Sequence, residues 1–123
     1  MNSFSQNLQT RLFDFSVRII TLKSWLVNNK EFDLASQLFR AGTSVGANYE
    51  EACSAISKPE FIAKISISAK EASETVYWLK LIQKSELYKI DVESLLAEAI
   101  EIKKIFKSMV QTAQKGRKAP SSL

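Results

Sequence analysis

Two pairs of carboxylates stand close enough in the sequence to act together. Glu50 is next to Glu51, and Glu71 lies one helical turn from Glu74. Such pairs could offer oxygen ligands to a hard cation. The chain has no histidine, which removes the usual general base, the commonest metal ligand and the Glu-x-x-His pattern of di-iron bundles. No glycine-rich phosphate loop is present either. The single cysteine, Cys53, cannot form an internal disulfide and sits among helix-compatible residues, so it reads as a small buried hydrophobe rather than a nucleophile. These residues imply no catalytic site, no metal and no cofactor.

Positive charge offers a different chemistry. From Lys103 onward the chain carries Lys103, Lys104, Lys107, Lys115, Arg117 and Lys118, with no acidic residue. Arg11, Arg18 and Lys23 add charge near the start, whereas Asp33, Glu50 and Glu51 make the second segment acidic. The net charge is +4. Nothing interleaves aromatic side chains with these lysines, and no RNA-binding module is recognisable, so bases would go unread. The nine basic residues are candidates for sequence-tolerant, salt-sensitive contact with phosphates. The plainer alternative is a solvated helix face.

The elements that must carry these groups are legible from periodicity. At 123 residues, with 46% hydrophobic and 24% charged side chains, the chain makes one ordinary globular domain. Few glycines and prolines favour long elements. Phe4, Leu8, Leu12, Phe15, Ile19, Leu22 and Leu26 recur at spacings of three and four, which predicts a helix over about 4–28. Leu34, Leu38, Ala41, Val45, Asn48 and Ala52 predict a second over about 33–56. Phe61, Ile65, Ala69, Ala72, Val76 and Leu79 give a third over 58–84, opened by Ser57 as N-cap, Pro59 in the first turn and Glu60 at the capping-box position. Leu95, Ala99, Ile102, Phe106, Met109 and Ala113 line a fourth over about 91–115, with Asp91 as its N-cap. Gly116 is placed to end it, leaving 116–123 as a flexible basic tail.

Long helices with short connections pack antiparallel, so the expected fold is all-α: an antiparallel up-down-up-down four-helix bundle spanning 1–115. No apolar run approaches the roughly 20 residues that cross a bilayer. The N-terminus also lacks the pattern of a signal peptide, which together point to a reducing, cytoplasmic setting. Second apolar stripes remain, however: Phe13, Val17, Ile20 and Val27 on the first helix, and Ile67, Tyr77 and Leu81 on the third. A lone bundle needs one stripe per helix. The extra ones predict a homo-oligomer interface.

The stretch "RAGTSVGANYEEA", Arg40 to Ala52, keeps the helical period despite its small and polar residues. Gly42 and Gly46 would each cost about 1 kcal/mol relative to alanine in a helix, which predicts close approach of a neighbouring backbone. Arg40, Ser44 and Asn48 fall level with Glu71 and Glu74 in an antiparallel pair. They are expected to form a hydrogen-bonded polar layer that fixes register between the second and third helices. A ligand site is the alternative.

Two runs, "QLFRAGTSVGANYEEACSA" and "EFIAKISISAKEASETVYWLKLI", resemble the small bacterial four-helix-bundle family named for proteins encoded in intervening sequences of 23S ribosomal RNA genes. The features that carry the resemblance are Arg40, Ala41, Ser44, Val45, Asn48 and Glu51, then Glu71 and the run from Ser73 to Leu79. The chain departs from the family pattern at Gly42, Thr43 and Gly46, which predicts looser packing there. The resemblance implies a cytoplasmic ring, a homopentamer, and a relation to accessory proteins of diversity-generating retroelements, which bind nucleic acid and a reverse transcriptase. It implies no active site. Structured RNA or RNA–DNA is then the expected partner of the basic surface. A protein-interaction scaffold, such as an accessory subunit of a reverse transcriptase, is the second reading.

Overall fold

Four α-helices fill the computed structural model, which describes residues 2–85 and 89–118, the side chains of Arg117 and Lys118 excepted. They are α1 (Ser3–Asn28), α2 (Phe32–Cys53), α3 (Lys58–Lys84) and α4 (Glu93–Lys118). Among the described residues there is no strand, and no helix is long and apolar enough to cross a membrane.

Each start has a local cause. The Asn2 side chain accepts from the Ser5 N–H at 2.8 Å, capping α1. Ser57 Oγ accepts from the Glu60 N–H at 3.2 Å, and Glu60 Oε2 accepts from the Ile56 N–H at 3.0 Å. This reciprocal pair opens α3. Helix α2 stops at Cys53 rather than near Ile56, the Ser54 and Ala55 N–H groups already reaching carbonyls three residues back. The Ile56 N–H is taken by the next helix's cap instead of a carbonyl one turn back. Between α1 and α2, Lys30 adopts φ +63°, the left-handed step that reverses the chain.

The fourth helix departs from the sequence expectation. It begins at Glu93, whose N–H donates to Asp91 Oδ1 at 2.9 Å, and runs through Gly116 to Lys118. An exposed glycine weakens a helix by about 1 kcal/mol but does not stop one unless the backbone turns left-handed. No glycine here has positive φ. Residues 116–118 are therefore helical, not tail, while 119–123 lie outside the described residues.

Packing follows chain order: α1 on α2, α2 on α3, α3 on α4, with a looser seam closing α4 back onto α1. The core contains Leu8, Leu12, Phe15, Ile19, Leu22 and Leu26 from α1, and Val92, Leu95, Leu96, Ala99, Ile102 and Phe106 from α4 and its approach. Phe4 is exposed and takes no part. Near the end of α2 the core position falls to Tyr49, not to its neighbour Asn48. Its ring meets Phe106 edge to face, centroids 5.6 Å apart, and its hydroxyl shares a hydrogen bond with Ser5 Oγ at 2.8 Å. Burial in that core raises the Tyr49 phenol's pKa, partly opposed by the Ser5 hydroxyl. On α3 the buried stripe is turned slightly, so Ile62 is buried while Phe61 sits at the margin.

Gly42 and Gly46 face α1, where Ile19 and Leu12 close over them. The packing there is tight. The looser contact expected from the departure at these positions is replaced by a closer α1/α2 approach.

Candidate nucleic-acid interface

The basic residues of α1 are spent within the bundle. Arg11 donates from Nε and Nη2 to the two carboxylate oxygens of Glu98, each at 2.7 Å, across the α1/α4 seam. These bonds raise the Arg11 pKa and hold the Glu98 carboxyl below its ordinary range. Arg18 Nη2 donates to Ser94 Oγ at 3.0 Å, one step along the same seam. Lys23 lies on the other side of α1, with Nζ 4.2 Å from the centre of the Phe39 ring on α2. Arg11, Arg18 and Lys23 thus do not share one face.

Between α2 and α3 the acidic residues find partners. Arg40 Nη1 pairs with Glu71 Oε2 at 3.2 Å, and its Nη2 pairs with Glu74 Oε2, which also accepts from Trp78 Nε1 at 3.1 Å. Glu71 is the more deeply placed, its side chain 8% exposed. Lys64 holds Glu51 at 2.8 Å, and across the other seam of α2 Gln9 of α1 donates to Glu50 at 3.0 Å. Both carboxylate pairs are occupied by neighbours. Among the described residues no group of three acidic or cysteine side chains could hold one metal ion.

Ser44 and Asn48 do something different from Arg40. Ser44 Oγ donates to the Arg40 carbonyl, and Asn48 Nδ2 donates to the Ser44 carbonyl at 2.9 Å, both within α2. The hydroxyl that crosses to the neighbouring helix belongs to Ser68, fully buried and donating to the Val45 carbonyl at 2.8 Å. Thr75, also buried, turns back to the Glu71 carbonyl at 2.7 Å. Nothing in the α3 pattern "AKISISAKEA" distinguishes Ser68 as the residue that would make the cross-helix bond in place of Asn48.

The lysines of α4 stand apart from these pairs. Lys103, Lys104, Lys107 and Lys115 have no carboxylate within ion-pairing distance among the described residues. They do not all look the same way. Lys104 and Lys115 stand outward, whereas Lys103 and Lys107, one turn apart, line a groove of about 240 Å³ between α3 and α4. Opposite them is Lys70 of α3, and Ala69, Ser73, Val110 and Gln111 complete the walls. In the sequence Lys70 stands alone in a mixed-charge stretch, with nothing to group it with the α4 lysines. Only the α3/α4 pairing brings it to the other two.

The second apolar stripes lie on the surface. Phe13 is 70% exposed, and Val17, Ile20 and Val27 continue its stripe along α1. Ile67, Tyr77 and Leu81 are exposed on α3, with Tyr77 edge-on to Trp78. Helices α1 and α3 do not pack on each other. They occupy opposite corners, so their outer faces look in opposite directions.

A model of the family described as 23S rRNA-intervening sequence protein matches residues 6–108. The chain is also similar to a protein of unknown function from the S23 ribosomal protein family of Bacteroides thetaiotaomicron VPI-5482. That crystal structure superposes with a TM-score of 0.79 at 38% sequence identity, covering 87% of this chain and 97% of that one. No curated protein matches.

Proposed function

The chain belongs to the 23S rRNA-intervening sequence protein family, and on that premise we propose a non-catalytic, oligomeric protein of the cytoplasm that associates with structured RNA or RNA–DNA. The basic surface of α4 makes the contact. One observation carries this reading: the carboxylates of the α1/α4 and α2/α3 seams hold Arg11, Arg40 and Lys64, while Lys103, Lys104, Lys107 and Lys115 are left without a counter-charge among the described residues. Ammonium groups on flexible stems suit phosphate as point charges and discriminate little between sequences. Assembly multiplies them. The exposed faces of α1 and α3 are the surfaces by which copies would join, in the ring of five that the resemblance implies. A multivalent ring strengthens weak phosphate contacts without any new chemistry.

The exposed apolar residues also favour the second reading, a scaffold whose partner is another protein, such as a reverse transcriptase, recruited with help from charge. The two readings part in one experiment. Fluorescence anisotropy with a hairpin RNA, titrated with salt, should give a log–log slope equivalent to several released counterions. That binding should collapse when Lys103, Lys104 and Lys107 become glutamine. A folded oligomer that binds no hairpin RNA at low salt would sink the nucleic-acid reading and leave the scaffold.

A further inference from the structure

We infer that the groove between α3 and α4 is the seat of a phosphodiester from a double-helical backbone, with Lys70 completing a site that Lys103 and Lys107 begin. This inference rests on the nucleic-acid reading above and narrows it to one place and one class of strand.

The groove is basic because a nearby carboxylate is held elsewhere. Glu74 stands four residues from Lys70 on α3, a spacing at which opposite charges ordinarily meet on a helix surface. It does not meet Lys70. Arg40 and the Trp78 indole hold its carboxylate on the α2 side, and Glu71 is engaged by the same Arg40. Lys70 is left facing α4, where Lys103 and Lys107 line the opposite wall. No acidic side chain lines the groove. Three ammonium groups around a small cleft repel one another, and a bound anion relieves that repulsion.

The walls decide what kind of anion fits. Ala69 and Val110 give the groove an apolar element, and Ser73 and Gln111 bring a hydroxyl and an amide. No aromatic side chain lines it. Proteins that hold single strands stack their exposed bases on aromatic rings, and this surface offers none. A double helix keeps its bases inside and presents sugar and phosphate outward, which is what lysines beside a small polar-and-apolar cleft can receive. Lys103 and Lys107, about 6 Å apart along the helix axis, flank the entering phosphate from α4 while Lys70 closes on it from α3.

The test uses the full chain and two RNAs of equal length, a hairpin and an unstructured oligouridine. Lys70→Gln should weaken hairpin binding about three- to ten-fold and reduce the salt slope by about one for each groove engaged. Lys70→Arg should restore both. Lys80→Gln, which removes an exposed α3 lysine outside the groove, should leave them at wild-type values. If the wild type binds the hairpin but Lys70→Gln matches Lys80→Gln, the groove is not the seat, and the broader nucleic-acid reading survives. Wild-type binding of oligouridine as tight as of the hairpin overturns the double-helical assignment. Failure of the wild type to bind either RNA at low salt removes the broader reading and the groove with it.

Discussion

Ile19 occupies the space that a side chain at Gly42 would need. A Cβ built on Gly42 falls 2.8 Å from both Cγ1 and Cγ2 of Ile19 and 2.9 Å from its Cδ1. Ile19 is fully buried and β-branched, so it has no free rotamer to retreat into. Gly42→Ala should therefore destabilise the protein by about 1–3 kcal/mol through overpacking, despite the roughly 1 kcal/mol that alanine adds to helix propensity. Gly46 gives the contrast. Its Cβ would lie 3.3 Å from Leu12 Cβ, a contact relieved by a few tenths of an ångström. Gly46→Ala should come out near neutral in the same urea titration. A Gly42→Ala variant more stable than wild type would show that Ile19 yields this space at no cost.

Asn48→Ala should be nearly silent. The Asn48 amide donates only to the Ser44 carbonyl on its own helix, and removing a partly exposed bond of that kind costs well under about 1 kcal/mol. Alanine's better helix propensity offsets part of that. A loss above about 2 kcal/mol in thermal or urea unfolding would mean that Asn48 has a cross-helix partner after all.

Asn48 and Tyr49 mark the limit of what periodicity can decide. The apolar stripes of α1 and α4 were legible almost residue by residue, because long helices with one dominant periodic face leave little choice of rotation. In α2 the small residues blur that face. A stripe through Asn48 and one through Tyr49 differ by a single residue, about 100° of rotation. Only packing against Ser5 and Phe106 decides for Tyr49. The basic surface was legible in composition but not in geometry. Arg11 and Lys107 look alike as cations in a sequence, yet one is bound to Glu98 and the other faces a groove whose third lysine, Lys70, lies on another helix.

The Arg11–Glu98 pair gives stability a dependence on acid. Two hydrogen bonds from Arg11 hold the Glu98 carboxyl below its ordinary range in the folded state. The unfolded chain then binds a proton more readily than the folded one. The pair's contribution is complete above the ordinary carboxylate range and is lost as pH falls through the depressed folded value. Arg11 is well exposed, so the contribution is modest, about 0.5–1 kcal/mol. Urea midpoints measured from neutral pH down to about pH 3, below the ordinary carboxylate range, should fall, and Glu98→Gln should start lower and fall less. Parallel curves for the two proteins would show that Glu98 does not titrate differently on folding.

Opposed apolar faces predict how copies would join in the proposed oligomer. Phe13 on α1 and Tyr77 on α3 are both largely exposed, and their helices sit at opposite corners of the bundle. In the proposed ring the α1 face of one copy would meet the α3 face of the next, a heterologous contact in which the two surfaces differ. Phe13→Glu should spoil one face and Tyr77→Glu the other, because a charge buried at an apolar contact is left without a partner. Each variant alone should sediment as a monomer while keeping wild-type helical content. Mixed in equal amounts, they retain one intact face each, and sedimentation velocity should show a one-to-one dimer that grows no further. A twofold, self-complementary contact through α1 would behave otherwise: Tyr77→Glu would assemble like the wild type, and mixing would add no new species.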